Sequence, residues 1–215
     1  MDAACFANSD QLLGFAEQLI QAGCTLLQYR NKLGNARQML EQARELRRRF
    51  LTHPKIAKSA ILEWGTLSSE PPKTVRWIMN DRADLALIAD FDGVHVGQDD
   101  LLPESVRKII GSDRWLGVST HNPEQVAEAE KTSADYVAIG PVFATMSKEG
   151  PDPVVGLEGL RRARQLTRKP LVAIGGITRA NAASVIQAGA DSVAVISDLL
   201  PDPRKSAEEF FRVLR

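Results

Sequence analysis

The chain has 215 residues, of which 27 are lysine or arginine, 27 are aspartate or glutamate and 44% are apolar. This length and composition are typical of a globular domain with a large buried core. A net charge of zero excludes general electrostatic attraction to nucleic acid or to an anionic membrane, so neither is an expected partner. No apolar run approaches the ~20 residues of a membrane span, and the N-terminus lacks the features of a secretory signal. We therefore expect a single domain over residues 1–215 in a cytoplasmic protein.

Seven short runs rich in valine and isoleucine alternate with longer segments of helical period. The runs lie at residues 25–29, 77–79, 93–96, 115–118, 136–139, 171–174 and 192–196. Apolar residues fill consecutive positions in these runs, which is typical of a parallel sheet covered by helices. Two architectures remain open, a closed (β/α)₈ barrel and an open doubly wound sheet. The barrel is favoured because no G-x-G-x-x-G follows the first run.

Helix boundaries and a faint repeat support a chain of βα units. Asn122 followed by Pro123 predicts a helix N-terminus, and Thr178 is expected to cap a later helix. The segments FDGVHVG, ADYVAIG and ADSVAVI each place an aspartate directly before a predicted strand, at Asp92, Asp135 and Asp191. Such a repeat indicates that the same helix-to-strand element recurs along the chain.

Polar residues follow the carboxyl end of every predicted strand. In a (β/α)₈ barrel, these ends and the loops after them form the active-site face. Solvent exposure explains any one such cluster, but less easily all of them together. In chain order the residues are Gln28, Arg30, Lys32, Asn80, Asp81, Gln98, Asp99, Asp100, Ser119, His121, Thr145, Ser147, Lys148, Gly175, Gly176 and Ser197.

Two carboxylates in this set suggest a metal site. Asp81 and Asp100 follow neighbouring strands, and Mg²⁺ commonly binds one or two carboxylates together with substrate phosphate oxygens. The alternative for Asp81 is an ordinary helix N-cap. Arg30, Lys32 and Lys148 add positive charge, and this total fits a pyrophosphate better than a monophosphate.

The last two units suggest a phosphate site. Gly175 and Gly176 allow a tight turn and close approach of the backbone to a ligand, and a helix starting at Thr178 would favour an anion. Ile196 and Ser197 end the next strand, and phosphate sites between the last two strands recur in barrels. A plain tight turn is the alternative.

The histidines give weaker signals. His95 lies inside a predicted strand and is expected to line the core, and His121 has no metal-ligating companion at a suitable spacing. Neither a G-x-S-x-G nor a Walker sequence supports hydrolase or NTPase chemistry.

Six motifs, in the same order along the chain, resemble the thiamine-phosphate synthase family. They are QYRNK, NDRADLA, GVHVGQDDL, GVSTH, IGPVFATMSK, and AIGGI followed by AGADSVAVIS, and they span about residues 12–200. The resemblance implies a (β/α)₈ transferase that uses Mg²⁺ and two small-molecule substrates. Such enzymes join 4-amino-2-methylpyrimidin-5-ylmethyl diphosphate to hydroxyethylthiazole phosphate and release pyrophosphate.

The same resemblance implies roles for individual residues. The group holding the pyrimidine diphosphate would be Gln28, Arg30, Lys32, Asn80, Ser119 and Lys148. The Mg²⁺ ligands would be Asp81 and Asp100. The group at the thiazole phosphate would be Thr145, Ser147, Gly176, Ile196 and Ser197. Lys148, Arg30 and Ser119 would act on the departing diphosphate as catalytic residues.

The family reaction implies a dissociative step in which pyrophosphate leaves before the thiazole nitrogen attacks. Such chemistry needs neutralised leaving-group charge, aligned substrates and excluded water, but no protein nucleophile. The absence of an activated Ser, Cys or His pattern in the sequence is consistent with it.

Two features depart from the family pattern. The first strand, an apolar run ending near a Thr-Asp pair, is missing, so we expect a barrel that lacks most of its first strand. Residues 51–75 are longer and more irregular than the usual connection, and we expect an irregular surface insertion there.

Two other functions remain open. A related thiazole tautomerase shares the barrel and the thiazole-phosphate site but has no diphosphate to neutralise, so Lys32, Asp81, Asp100 and Lys148 favour the synthase. The missing strand would suit a catalytically inactive paralogue that binds a phosphorylated ligand. The oligomeric state is also open, and a homo-oligomer is one outcome.

Overall fold

The computed structural model describes residues 1–50, 75–145 and 152–214. The strands are β1 (Leu26–Tyr29), β2 (Arg76–Asn80), β3 (Gly93–Val96), β4 (Trp115–Thr120), β5 (Tyr136–Ile139), β6 (Leu171–Ile174) and β7 (Ser192–Ala194). The α-helices are α1 (Ser9–Gln21), α2 (Ala36–Arg49), α3 (Ala83–Ile88), α4 (Pro103–Ile110), α5 (Pro123–Glu130), α6 (Gly156–Leu166), α7 (Ala182–Gln187) and α8 (Pro203–Val213). Short 3-10 helices cover Ala3–Cys5 and Ser197–Leu199.

The strands form one parallel sheet whose spatial order is the chain order, β1 to β7. A doubly wound sheet would reverse its order at a switch point, so that alternative is wrong. The predicted barrel-type α/β fold is confirmed. On the side of β1 away from β2, the described residues form only one isolated parallel bridge, between Asp2 and Arg30. The expected lack of most of a first strand is therefore also confirmed.

Successive side chains of β2, β4, β5 and β6 enter different apolar clusters. The larger cluster joins strand residues such as Met79 and Leu116 to the inner faces of the helices. A smaller one contains strand residues only, namely Ile78, Trp115, Tyr136, Ala138 and Val172. Because both faces of β2 to β6 are largely buried, these strands appear in the sequence as consecutive apolar runs.

An aspartate at the amino end of β3 ties it to β2. The Asp92 carboxylate accepts a hydrogen bond from the Trp77 backbone N–H at 2.8 Å and one from the Arg47 guanidinium of α2 at 3.1 Å. The Asp92 N–H donates in turn to the Trp77 carbonyl at 2.9 Å. One carboxylate therefore joins a helix and two strands, and we call this arrangement an aspartate clasp.

The clasp recurs in every second βα unit. The other two sets are Asp135 with the Leu116 N–H (2.8 Å) and Arg107 (2.7 Å), and Asp191 with the Leu171 N–H (2.7 Å) and Arg164 (2.7 Å). These are the three aspartates of the sequence repeat. The repeat thus reflects three strand pairs, β2–β3, β4–β5 and β6–β7. Thr25, which takes the equivalent position before β1, bonds to β2 through its carbonyl oxygen.

Other predictions concern helices and the segment after α2. The predicted start at Asn122 is confirmed, since its side chain accepts from the Gln125 N–H at 2.8 Å. The insertion predicted at residues 51–75 lies outside the described residues, apart from Val75, which is buried directly before β2. Among the helices that the structure describes, none combines the length and apolar character needed to cross a membrane.

We expect Asp92→Ala to lower the free energy of unfolding by about 2 kcal/mol, because it leaves the Trp77 N–H and Arg47 without their shared acceptor. Urea denaturation followed by circular dichroism would measure the change. Glu128→Ala is the control, since its ion pair with Lys131 is largely exposed and should contribute little. Equal midpoints for the two variants would contradict a stabilising role for the clasp.

Candidate active site

Asp81 follows β2 in a backbone conformation that few residues adopt. Its φ is +64°, in the left-handed region, and its N–H donates to the His95 carbonyl at 2.8 Å. The N-cap position of α3 belongs to Arg82 and makes no side-chain capping bond. The helix-cap alternative for Asp81 is therefore wrong, and its carboxylate is directed to other partners. Strained backbone of this kind is concentrated at functional sites.

Asp81, Asp100 and Lys32 form a compact charged cluster at the carboxyl edge of the sheet. The Lys32 ammonium group makes an ion pair with the Asp81 carboxylate, and the Gly97 N–H donates to Asp100 Oδ2 at 2.8 Å. Burial raises the pKa of Asp81 above its ordinary value; Lys32 lowers this pKa, and the adjacent Asp100 raises it. Two carboxylates are thus held close together with one ammonium group as partial compensation.

These two carboxylates are the groups that could hold a hard cation. Within residues 1–50, 75–145 and 152–214, no group of three or more His, Cys, Asp or Glu residues could form a metal site. Two carboxylates nevertheless suit an ion that takes its other ligands from phosphate oxygens and water. Burial, the main cause of the raised pKa of Asp81, and repulsion from Asp100 both disfavour the charged carboxylate, which a nearby divalent cation would stabilise.

The other residues predicted around the diphosphate lie at the ends of β1 and β2. Gln28 is half-buried within β1, and Asn80 ends β2 opposite His95. Arg30 follows β1, and its guanidinium group pairs with the buried carboxylate of Asp2. These residues share the carboxyl edge of the sheet with the charged cluster.

A hydrogen-bonded chain that the sequence did not predict lies next to this cluster. His95 Nδ1 lies 3.0 Å from Tyr136 Oη, and His95 Nε2 lies 2.8 Å from Ser119 Oγ. Burial lowers the pKa of His95 to about 4, so the imidazole is neutral near neutral pH. The Gln98 side-chain amide also donates to the Ser119 carbonyl at 2.6 Å. A glycine inside β4, at Gly117, was the signal in the sequence that could have indicated crowding by large neighbours.

A second group of predicted residues surrounds the glycine turn after β6. Gly175 and Gly176 have φ values of +84° and +65°, which favour glycine. The loop after β5 packs directly on them, because the Phe143 N–H donates to the Gly175 carbonyl at 3.1 Å. A Cβ on Gly176 would lie 2.5 Å from the Ala144 carbonyl oxygen. Thr145 follows in that loop, whereas Ser147 and Lys148 lie outside the described residues.

The predicted helix start at Thr178 is wrong. Helix α7 begins at Ala182, and the Thr178 N–H donates to the Asn181 side chain at 2.8 Å. The Asn181 side-chain amide donates to the Gly176 carbonyl at 3.0 Å, so a side chain closes the turn before the helix starts. The free N–H groups of a helix end are consequently not available at Thr178.

Ile196 and Ser197 follow β7, the strand paired with β6. Ser197 opens the 3-10 helix after β7, and Asp198 of that helix accepts from the Arg179 N–H at 2.9 Å. This bond joins the loop after β6 to the loop after β7. The glycine turn, Thr145 and Ser197 thus form a second group at the same carboxyl edge of the sheet as the charged cluster, because all follow carboxyl ends of parallel strands.

A family profile described as thiamine monophosphate synthase matches residues 70–199, which is more than half of the chain. The chain belongs to this family. The thiamine-phosphate synthase of Koribacter versatilis (strain Ellin345) is 54% identical over 217 residues, covering 100% of this chain and 93% of that protein. The thiamine-phosphate synthase of Chloroflexus aurantiacus is 44% identical, covering 84% of this chain and 74% of that protein.

A solved member of the family has the same fold. The thiamine phosphate pyrophosphorylase from Pyrococcus furiosus superposes with a TM-score of 0.75 at 32% identity, covering 94% of this chain and 88% of that one. The predicted family and the TIM-barrel type are therefore confirmed. The profile match includes both aspartates and the glycine turn, whereas Gln28, Arg30 and Lys32 precede it.

We expect Gly176→Ala to lower the free energy of unfolding by about 1–3 kcal/mol, because its φ is positive and its Cβ would collide with Ala144. Gly14→Ala within α1 is the matched control. A Cβ there meets open space, and alanine should stabilise the helix by about 0.5–1 kcal/mol. Thermal unfolding of both variants would test this, and a neutral Gly176→Ala would contradict the described turn.

Proposed function

We propose that this chain is a thiamine-phosphate synthase, joining 4-amino-2-methylpyrimidin-5-ylmethyl diphosphate to hydroxyethylthiazole phosphate with release of pyrophosphate. The observation that supports this most directly is that the cluster of Lys32, Asp81 and Asp100 and the Gly175–Gly176 turn both lie at the carboxyl edge of the sheet. One group suits a metal-bound diphosphate, and the other suits a phosphate held by backbone. A reaction between two phosphorylated substrates requires both.

At the diphosphate end, we assign Asp81 and Asp100 as Mg²⁺ ligands. When bound, Mg²⁺ would neutralise charge on the departing diphosphate. Lys32 makes an ion pair with Asp81. After a small side-chain movement it would contact the diphosphate oxygens. Gln28, Arg30 and Asn80 occupy the adjacent strand ends and would bind the pyrimidine diphosphate, and Lys148 is assigned to the diphosphate on the family pattern.

At the thiazole end, the phosphate would lie against the glycine turn. The loop after β5 packs closely on this turn because Gly175 and Gly176 carry no side chain, and Thr145 follows in that loop. Ile196 and Ser197 complete the set from the next strand end, together with Ser147. These residues would hold the thiazole in line with the pyrimidine.

The chemistry needs no covalent bond to the protein. The bond between the pyrimidine methylene carbon and the diphosphate oxygen breaks, and its electron pair leaves with pyrophosphate. The lone pair of the thiazole nitrogen then forms the new carbon–nitrogen bond. The catalytic groups Arg30, Ser119 and Lys148 would stabilise negative charge on the leaving group by hydrogen bonds and positive charge.

Incubation of the purified protein with both substrates and Mg²⁺, followed by chromatography, tests the proposal. We expect thiamine phosphate and pyrophosphate in equal amounts. Asp100→Asn should lower turnover by about 100-fold or more, because it removes a charged metal ligand, while its carbonyl oxygen can still accept from the Gly97 N–H. Stability should therefore change little.

Asp99→Asn is the control for the same change at the neighbouring exposed position, and it should keep full turnover. Thiazole tautomerisation without thiamine phosphate would favour the tautomerase alternative. Binding of the thiazole phosphate without either reaction would favour an inactive paralogue.

Lys32 should also compete with the metal for Asp81, because its ammonium group pairs with that carboxylate. We expect Lys32→Gln to bind Mg²⁺ alone more tightly in calorimetric titration, yet to turn over more slowly because a cation at the diphosphate is lost. Lys131→Gln is the control, as Lys131 pairs with Glu128 on the exposed side of α5. Weaker Mg²⁺ binding by Lys32→Gln would contradict this competition.

The proposed substrates are small molecules, and no nucleic acid or membrane is assigned as a partner. The cytoplasmic location and a homo-oligomeric state remain predictions from the sequence. Size-exclusion chromatography with light scattering would measure the oligomeric state.

A further inference from the structure

Three neighbouring strands bring His95, Gly117 and Tyr136 onto one level of the sheet. His95 of β3 is paired with Gly117 of β4, and Gly117 is paired with Tyr136 of β5. The side chains of His95 and Tyr136 meet across the glycine, with ring centroids 5.5 Å apart. Ser119 lies two residues further along β4, on the same side of that strand. The resulting order is Tyr136 Oη, His95 Nδ1, His95 Nε2 and Ser119 Oγ.

Gly117 makes this contact possible. A Cβ at this position would lie 2.1 Å from Tyr136 Cζ, 2.4 Å from Tyr136 Oη and 2.4 Å from His95 Nδ1. Any side chain would therefore push the phenol away from the imidazole. The two rings are also buried, with His95 7% exposed and Tyr136 5% exposed. The backbone and the burial together hold both ends of the imidazole in place.

The chemistry of the three groups sets the direction of the hydrogen bonds. A neutral imidazole has one N–H donor and one acceptor nitrogen. A phenol is more acidic than an aliphatic hydroxyl and is the better donor, so Tyr136 donates to Nδ1 and the imidazole proton lies on Nε2. The Nε2–H group then donates to Ser119 Oγ. The Ser119 proton is left free to point away from His95.

We propose that His95 and Tyr136 are positioning residues that hold the Ser119 hydroxyl as a hydrogen-bond donor toward the diphosphate of the substrate. This inference rests on the proposed function, because it needs an anionic leaving group at Ser119. In the opposite tautomer, Ser119 would donate to His95 and turn its lone pairs toward the anion. We call Tyr136, His95 and Ser119 the histidine relay. A serine hydroxyl can donate or accept a hydrogen bond, and the relay makes the Ser119 hydroxyl a donor toward the developing negative charge.

The tautomer of His95 can be measured directly by ¹⁵N NMR of histidine-labelled protein at neutral pH. The chain has three histidines, so the spectrum is simple, and His95→Gln assigns the signal. We expect the Nε2–H form in the unsubstituted protein. Tyr136→Phe should weaken this preference and give a mixture of tautomers, because the donor to Nδ1 is lost. Gly117→Ala should also give a mixture of His95 tautomers, although it keeps the side chains of Tyr136, His95 and Ser119.

Tyr29→Phe is the control. Tyr29 is the other tyrosine of the chain, and its hydroxyl donates to Gln42, away from this relay. It should leave the His95 signal and the turnover unchanged. An Nδ1–H tautomer in the unsubstituted protein, or an unchanged tautomer in Tyr136→Phe, would overturn the proposal.

A double-mutant cycle separates positioning from general structural damage. We expect Tyr136→Phe to lower kcat by about 10-fold with little change in the KM for the thiazole phosphate. In a Ser119→Ala background the same substitution should have almost no further effect, because Tyr136 acts through Ser119. Independent, multiplicative losses would overturn the positioning role. Absence of turnover in the unsubstituted protein would instead refute the proposed function. The tautomer measurement needs no substrate, so it distinguishes failure of the proposed function from failure of the hydrogen-bond arrangement proposed for His95.

Discussion

The parallel pairing of seven strands in chain order is the constraint on which the rest of the structure depends, because it brings every strand's carboxyl end to one face. The charged cluster, the histidine relay and the glycine turn all lie on that face. The aspartate clasps lie at the opposite, amino ends of the strands, where Asp92, Asp135 and Asp191 join strand pairs to helices. The stabilising clasps and the proposed site are thus at opposite ends of the strands. The loops around the site can therefore carry strained or repulsive groups.

The charged cluster illustrates such repulsion. Asp81 is held with a positive φ beside Asp100, and burial together with that neighbour raises its pKa. An ammonium group from Lys32 compensates only part of this charge. A folded protein keeps such an arrangement when the surrounding backbone enforces it, here through the bond from the Asp81 N–H to the His95 carbonyl. The same backbone segment therefore connects the carboxylates to the relay.

The two ends of the proposed site offer different groups to a phosphate. The proposed diphosphate end offers charged side chains, Lys32, Asp81 and Asp100. The proposed thiazole end offers a glycine turn, and Arg179 near that turn is already paired with Asp198 and Glu209. A rigid, uncharged cradle suits a phosphate that stays on the product, whereas concentrated charge suits one that departs.

The sequence by itself determined the strand positions, the family and the place of the glycine turn, because these depend on local composition and on contiguous motifs. The spatial order of the strands was decided by the tertiary structure. Nor did the sequence determine that Asp81 leaves the helix cap for Lys32 and Asp100, that Asn181 rather than a helix end closes the turn, or that His95 joins Tyr136 to Ser119. His95 is separated from Tyr136 by 41 positions and from Ser119 by 24 positions. Only strand register decides that such distant residues meet, since a shift of one residue would turn each side chain to the other face of the sheet.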